Sequence, residues 1–288
     1  RLILAANPYF RIGNQEACVR IFDNPLMKDR VNNNDDDGDD TKWNSEIFIS
    51  KPNHVKTFGI TKARWSPLND EIFVLCSDGT IRIIDVNKEK EVKTIIFDKN
   101  IKVKQERNPT LDEALTDIQI TNDYCRALVT SRSFEAKMYD IRQRKWDVLN
   151  VFSTNRGLNT CAMHPKLDCC VLGGGKTAQQ AALDKKHGNY EILFYSTIYK
   201  KIQNNVSTNN HIQMGQIQTD CFSPINSMTF NSDGSQFILG YEEGQVRIFS
   251  MDADFEDKYT KNENTFIKSK KDDDNSDSDD DDDQFDAW

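Results

Sequence analysis

The chain has 288 residues, 37% hydrophobic and 29% charged, enough for one large domain or two small ones around a sizeable core. No run approaches the roughly 18 apolar residues of a membrane helix, no signal peptide is visible, and the seven cysteines include no C-x-x-C pair, so they read as free thiols of a reducing compartment. The net charge is −9, but residues 272–288 hold ten Asp and residues 35–40 hold five, so the remainder is +6: a mildly basic body with two acidic appendages.

Taken in order, the chain shows one recurring unit. An apolar–polar alternation runs into a polar turn, then a second apolar strand, then a tight turn. A third strand follows, closing on an aromatic or aliphatic residue and often an Asp. Residues 1–23 end in "GNQEACVRIFD" and read as the back half of such a unit; the chain opens at Arg1 rather than Met, as a processed or truncated product would. Residues 31–42 read as an exposed acidic insertion. The clearest copy is 60–85, "ITKARWSPLNDEIFVLCSDGTIRIID", in which Ile81 and Ile83 face one way and Thr80 and Arg82 the other. Residues 115–140 and 158–195 are weaker copies, and 225–250, "INSMTFNSDGSQFILGYEEGQVRIFS", is a strong one. Aligned on 60–85, its Phe230-Asn231-Ser232 falls on Trp65-Ser66-Pro67, and Glu242-Glu243-Gly244 on Ser77-Asp78-Gly79.

These units predict an all-β chain of the WD40 β-propeller type, with about five blades visible at approximately 1–23, 60–96, 115–152, 157–203 and 224–259. The propeller domain is predicted over 1–259 and a disordered acidic tail over 260–288. No unit closes on a Trp-Asp pair and no Gly-His dipeptide occurs, so the His–Asp–Trp arrangement of many such blades is not available.

The chemistry is sparse. "VLGGGKT" (171–177) supplies the last three positions of a G-x-x-x-x-G-K-[ST] phosphate loop. Its first glycine would fall at Cys170, and a blade strand leads to a hairpin partner rather than to the helix such a loop opens. No G-x-S-x-G, H-E-x-x-H or G-x-G-x-x-G occurs, so the chain reads as no enzyme. His54, His164, His187 and His211 stand apart from one another and from the cysteines, so no metal and no cofactor is expected. "KKHGNY" (185–190) and "IKSKK" (267–271) are small basic clusters that read as solvated loop charge, leaving direct nucleic-acid contact minor at most. The tail reads as a solubilising appendage; Phe285 and Trp288 are its candidates for docking in a basic, apolar pocket.

"CVLGGGKTAQQAALDKKHGNYEILFY" resembles the most distinctive segment of subunit i of eukaryotic translation initiation factor three. Gly173, Gly174, Gly175, Ala178, Gly188, Tyr190 and Glu191 carry that signature, with Phe194 and Tyr195. "SPINSMTFNSDGSQFILGYEEGQVRI" and "LTDIQIT" resemble neighbouring segments of the same family. Lys176-Thr177 depart from it, standing where the family has Gln and an acidic residue. The resemblance implies a seven-bladed propeller, about two blades of which would precede Arg1. It implies a non-catalytic, cytoplasmic scaffold that docks the b and g subunits as helical or extended peptides, near the 40S ribosomal subunit and away from membranes. The candidate docking residues it implies are Tyr139, Asp140, Arg142, Asn155 and Arg156, the last two beside the third-to-fourth blade connection. A generic WD40 scaffold of another complex is the alternative, and a nucleotide-binding enzyme using Lys176 the remote one.

Overall fold

A computed structural model of the chain describes residues 2–6, 17–22, 45–49, 58–97, 114–176, 190–198, 213–219 and 223–251. All eighteen elements within them are β-strands. The first sheet holds β1 (Leu2–Ala6), β2 (Ala17–Phe22) and β3 (Ser45–Ile49). The second holds β4 (Ile60–Trp65), β5 (Glu71–Cys76), β6 (Thr80–Asp85) and β7 (Lys90–Ile96). The third holds β8 (Leu115–Ile120), β9 (Arg126–Ser131), β10 (Glu135–Asp140) and β11 (Asp147–Ser153). The fourth holds β12 (Leu158–Met163), β13 (Cys169–Gly174), β14 (Ile192–Ser196) and β15 (Gln213–Ile217), and the fifth β16 (Ile225–Phe230), β17 (Gln236–Tyr241) and β18 (Val246–Ser250). Every sheet is an antiparallel meander, in keeping with propeller blades.

Two sheets reach further than the sequence repeat shows. The first takes a third strand at Ser45–Ile49, beyond residues 1–23, and the fourth takes its last strand at Gln213–Ile217, beyond residue 203. A long connection adds little to the entropy of closing a hairpin, so pairing tolerates an insertion that hides the repeat. The acidic insertion 31–42, the tail 260–288 with Phe285 and Trp288, and Ala178 and Gly188 lie outside the described residues.

The sheets stack in chain order on four apolar layers. One layer, including Val19, Ile21, Ile47, Ile72 and Val74, lies between the first and second sheets. The next joins second to third through Phe73, Ile81, Ile83, Tyr139 and Trp146, with the Phe73 and Trp146 rings edge-on at 4.8 Å. Leu128, Phe152, Cys170 and Leu172 join third to fourth; Val171, Phe194, Met228 and Phe237 join fourth to fifth. The middle strands of the second to fourth sheets are thus covered on both faces, and β5, β6, β9, β10 and β13 are buried almost throughout. The outer strands β7 and β11 are largely open.

Burying both faces requires that the cations of β6 and β10 find partners. Arg82 lies against the Phe58 ring at 5.0 Å and pairs with Glu91 at 3.0 Å. Lys137, one sheet on, lies over the Phe97 ring at 4.4 Å and donates to the Phe97 carbonyl at 2.8 Å. The Asp that closes these third strands caps the turn after it. Asp85 accepts from the Asn87 and Lys88 amides, both at 3.0 Å, and Asp140 from the Arg142 amide at 3.0 Å.

The cysteines fit the same packing. Burial pushes the Cys76 and Cys169 thiols up from 9.0 to about 12 and holds Cys161 and Cys170 well above 9.0 as well. The folded chain keeps these thiols protonated, whereas the unfolded chain releases their protons above pH 9.0. Their contribution to stability is therefore full below pH 9.0 and is lost as the pH climbs toward 12. Urea midpoints at about pH 7, 8 and 10.5 should stay level across the first interval and fall across the second.

Candidate protein-docking surface

The glycine run sits where β13 ends. β13 pairs with β12 on one side and with β14 on the other, both antiparallel, so the chain returns as a hairpin partner. Cys170, the position of the missing first glycine of a phosphate loop, is fully buried in the strand opposite Tyr195. A paired strand cannot wrap a phosphate, so the phosphate-loop geometry is not formed.

Each glycine answers a different constraint. A Cβ on Gly173 would stand 2.4 Å from Met228 Cε and 3.1 Å from Ile225 Cγ2, so its bare face is where the fifth sheet closes on the fourth. A Cβ on Gly174 would stand 2.2 Å from the Gly157 carbonyl oxygen and 2.8 Å from Leu158 Cα, within its own sheet. Gly175 holds φ at 131°, where a side chain is strained, and its amide donates to the Gly157 carbonyl at 3.1 Å. The run packs two sheets together and then turns the chain out of the sheet.

Across the hairpin, Tyr190 and Glu191 lead into β14. Burial raises the pKa of the Tyr190 hydroxyl, and the Glu242 and Glu243 carboxylates raise it further. Glu191 is the anion of a buried pair with Arg156, whose guanidinium also donates to the Glu191 carbonyl at 3.2 Å.

The five residues expected to form one docking groove do not converge. In the register of β10 on β11, Asp140 lies opposite Asp147 and Glu135 opposite Ser153. Asp140 and Arg142 are therefore at one end of the third sheet. Asn155 and Arg156, just after β11, are at the other end, about 17 Å away at 3.4 Å per residue. Arg142 grips Asp140 with its Nε at 3.0 Å, and this pairing holds the carboxyl below the usual carboxylate range. Arg156 is only 5% exposed and serves the Glu191 contact; Asn155 is exposed and accepts from Arg156 Nε at 2.9 Å. Tyr139 is in the core, 1% exposed, packed on Trp146 at 5.7 Å. Its hydroxyl is buried without a hydrogen-bond partner among the described residues, and burial raises its pKa. Tyr139→Phe removes that unsatisfied group and should raise unfolding stability by about 1 kcal/mol in a urea titration; a loss of that size would mean that the hydroxyl is bonded.

Two polar rows that the sequence did not disclose stitch the sheets together. One runs through the turns between first and second strands. Asn122 donates to the Pro165 carbonyl at 3.0 Å, and His164 meets the Gly234 carbonyl at 3.2 Å. His164 Nδ1 accepts from the amides of Lys166 and Leu167, at 3.1 and 2.8 Å, so Nε2 carries the proton toward Gly234. The histidine that looked isolated is thus a turn cap reaching the next sheet. The signal for it was positional, since Ser66, Thr121 and Asn231 cap the corresponding turns through Glu71, Arg126 and Gln236 amides. The other row runs through the first strands of the second to fifth sheets.

Among the described residues no group of three or more His, Cys, Asp and Glu is placed to hold a metal, and no helix is long and apolar enough to cross a membrane. The geometry defines a repeat array of stacked antiparallel sheets whose surface is made of turns. No family model matches the chain. It is 29% identical over 197 residues to eukaryotic translation initiation factor 3 subunit I of Dictyostelium discoideum, 28% over 197 residues to that of Drosophila virilis and 29% over 199 residues to that of Drosophila grimshawi. Those alignments take in 68% of this chain and 51%, 53% and 52% of the three relatives, so the chain spans about half the length of the curated relatives it matches. These proteins are homologues of the chain, and the match is one at the level of the subunit I family.

Proposed function

We propose that the chain is a non-catalytic scaffold subunit of the cytoplasmic eukaryotic translation initiation factor 3 complex, with its sheets forming part of a closed propeller. The relation to subunit I proteins is the observation that carries this reading. The glycine run supports it, because that segment is spent on packing and turning the chain. In this reading the chain docks peptide segments of other subunits, b and g among them, and contacts the 40S subunit through the complex.

Within the expected set, the end of the third sheet that carries Asn155 is the better docking surface. The tight turns of the second and fifth sheets place Gly79 and Gly244 at φ 77° and 82°. The third sheet places Phe134 in the corresponding turn at φ 66°, with the side chain 52% exposed. Its carbonyl accepts from the Thr154 amide at 2.8 Å, so the turn lies at the same end of the sheet as Asn155. A left-handed aromatic costs about 1–2 kcal/mol, and here the ring gains little burial in exchange, as suits a residue kept for a partner. Phe134→Gly should leave the fold at least as stable while reducing recovery of the b subunit with a tagged chain by tenfold or more, about 1.4 kcal/mol. Undiminished recovery would overturn this placement of the docking surface.

A further inference from the structure

We propose that Asp117 is the node of a polar relay along the first strands, and that this relay makes the second to fifth sheets open as one unit. Each of these sheets has a β-bulge at the second residue of its first strand, at Thr61, Thr116, Asn159 and Asn226. A bulge re-aims the side chain that follows it. The residues that follow are Lys62, Asp117, Thr160 and Ser227, and three of them are joined across sheets. Lys62 of β4 forms an ion pair with Asp117 Oδ1 of β8. Thr160 Oγ1 of β12 donates to Asp117 Oδ2 at 2.8 Å and accepts from the Met228 amide of β16 at 3.2 Å.

The carboxylate is 2% exposed and fully used: Oδ1 also accepts from the Ile118 amide at 2.7 Å and Oδ2 from the Cys161 amide at 3.2 Å. The bulged residues form a parallel row, with Thr116 donating to the Leu158 carbonyl at 3.0 Å and Asn159 to Asn226 Oδ1 at 3.0 Å. A buried charge whose bonds lie on two neighbouring sheets ties them into one unit, and cutting the link on one side frees only the sheets beyond it. The apolar layers hold each neighbouring pair of sheets, whereas this relay runs unbroken from the second sheet to the fifth.

The relay has a direction that hydrogen exchange of the full chain, read by mass spectrometry on peptides from β4, β8, β12 and β16, can detect. Thr160→Val cuts the link to Met228 and leaves the Lys62–Asp117 pair in place. It should speed exchange in Ile225–Phe230 by about tenfold or more and leave Ile60–Trp65 unchanged. Lys62→Met should do the reverse. Asp117→Asn, which keeps the volume but gives up acceptors, should speed exchange in β4, β12 and β16 together. Exchange confined to β8 and its neighbours within the third sheet in Asp117→Asn would overturn the proposal, as would an unaltered β16 in Thr160→Val. The threonine variant keeps the test open if the aspartate variant does not fold.

Discussion

Asp117→Ala lowers the stability of the chain by about 3 kcal/mol, chiefly through the acceptors it removes from the Thr160 hydroxyl and the Ile118 and Cys161 amides. The mechanism is specific. Without the carboxylate, the Lys62 ammonium loses its ion-pair partner at a site where its side chain is 35% exposed. The Thr160 hydroxyl loses its acceptor, and the Cys161 and Ile118 amides lose side-chain bonds. Domains of this kind have only about 5–15 kcal/mol in total, so the variant should unfold at a markedly lower urea concentration, with the slope of the transition retained. Lys62→Ala should cost less, because its ammonium is partly hydrated and its loss leaves three of the four bonds to Asp117. A change below about 1 kcal/mol for Asp117→Ala would show that these bonds are replaced by water and contribute little.

Substitutions in the glycine run should be ranked by what the added carbon meets. Gly174→Ala is expected to be the most damaging, at about 3 kcal/mol, because its Cβ would meet the Gly157 carbonyl oxygen and the Leu158 Cα, both backbone atoms. Relief would mean parting β12 from β13 at the bulge between Leu158 and Thr160. Gly175→Ala should follow, at about 1–3 kcal/mol, because φ 131° is poorly accessible to alanine. Gly173→Ala should be mildest, since its nearest contact is the flexible end of Met228. Thermal unfolding of the three variants tests the order. A mild Gly174→Ala would mean that the run is kept for something other than close packing.

The strands were legible because their signals are local. "TIRIID" and "QVRIFS" announce period-two faces, and "SDG" and "EEG" announce the left-handed position of their turns, which the structure places at Gly79 and Gly244. The hairpin reading of "LDCCVLGGG" was legible for a related reason: its flanks repeat the pattern of other blades. The links between sheets were not. Lys62 lies 55 residues from Asp117 and Thr160 lies 43 from it, the intervals between their repeat units, but residues of such different chemistry at one repeat position do not announce that they are partners. Tyr139 and Arg156 were misleading candidates because a Tyr before Asp and an Arg in a loop look exposed in a sequence. Stacking a sheet on each side buries the first, and the Glu191 pair buries the second. Phe134 was passed over for the opposite reason. Its exposure and its backbone become visible only when it is set beside the glycines of the equivalent turns.

The most direct test of the central claim is the composition of what a tagged full chain retains when purified gently from eukaryotic cells and read by mass spectrometry. The scaffold account predicts initiation factor 3 subunits as the leading partners, with b and g among them at near-stoichiometric levels. Recovery of a different stable complex without those two subunits would contradict it.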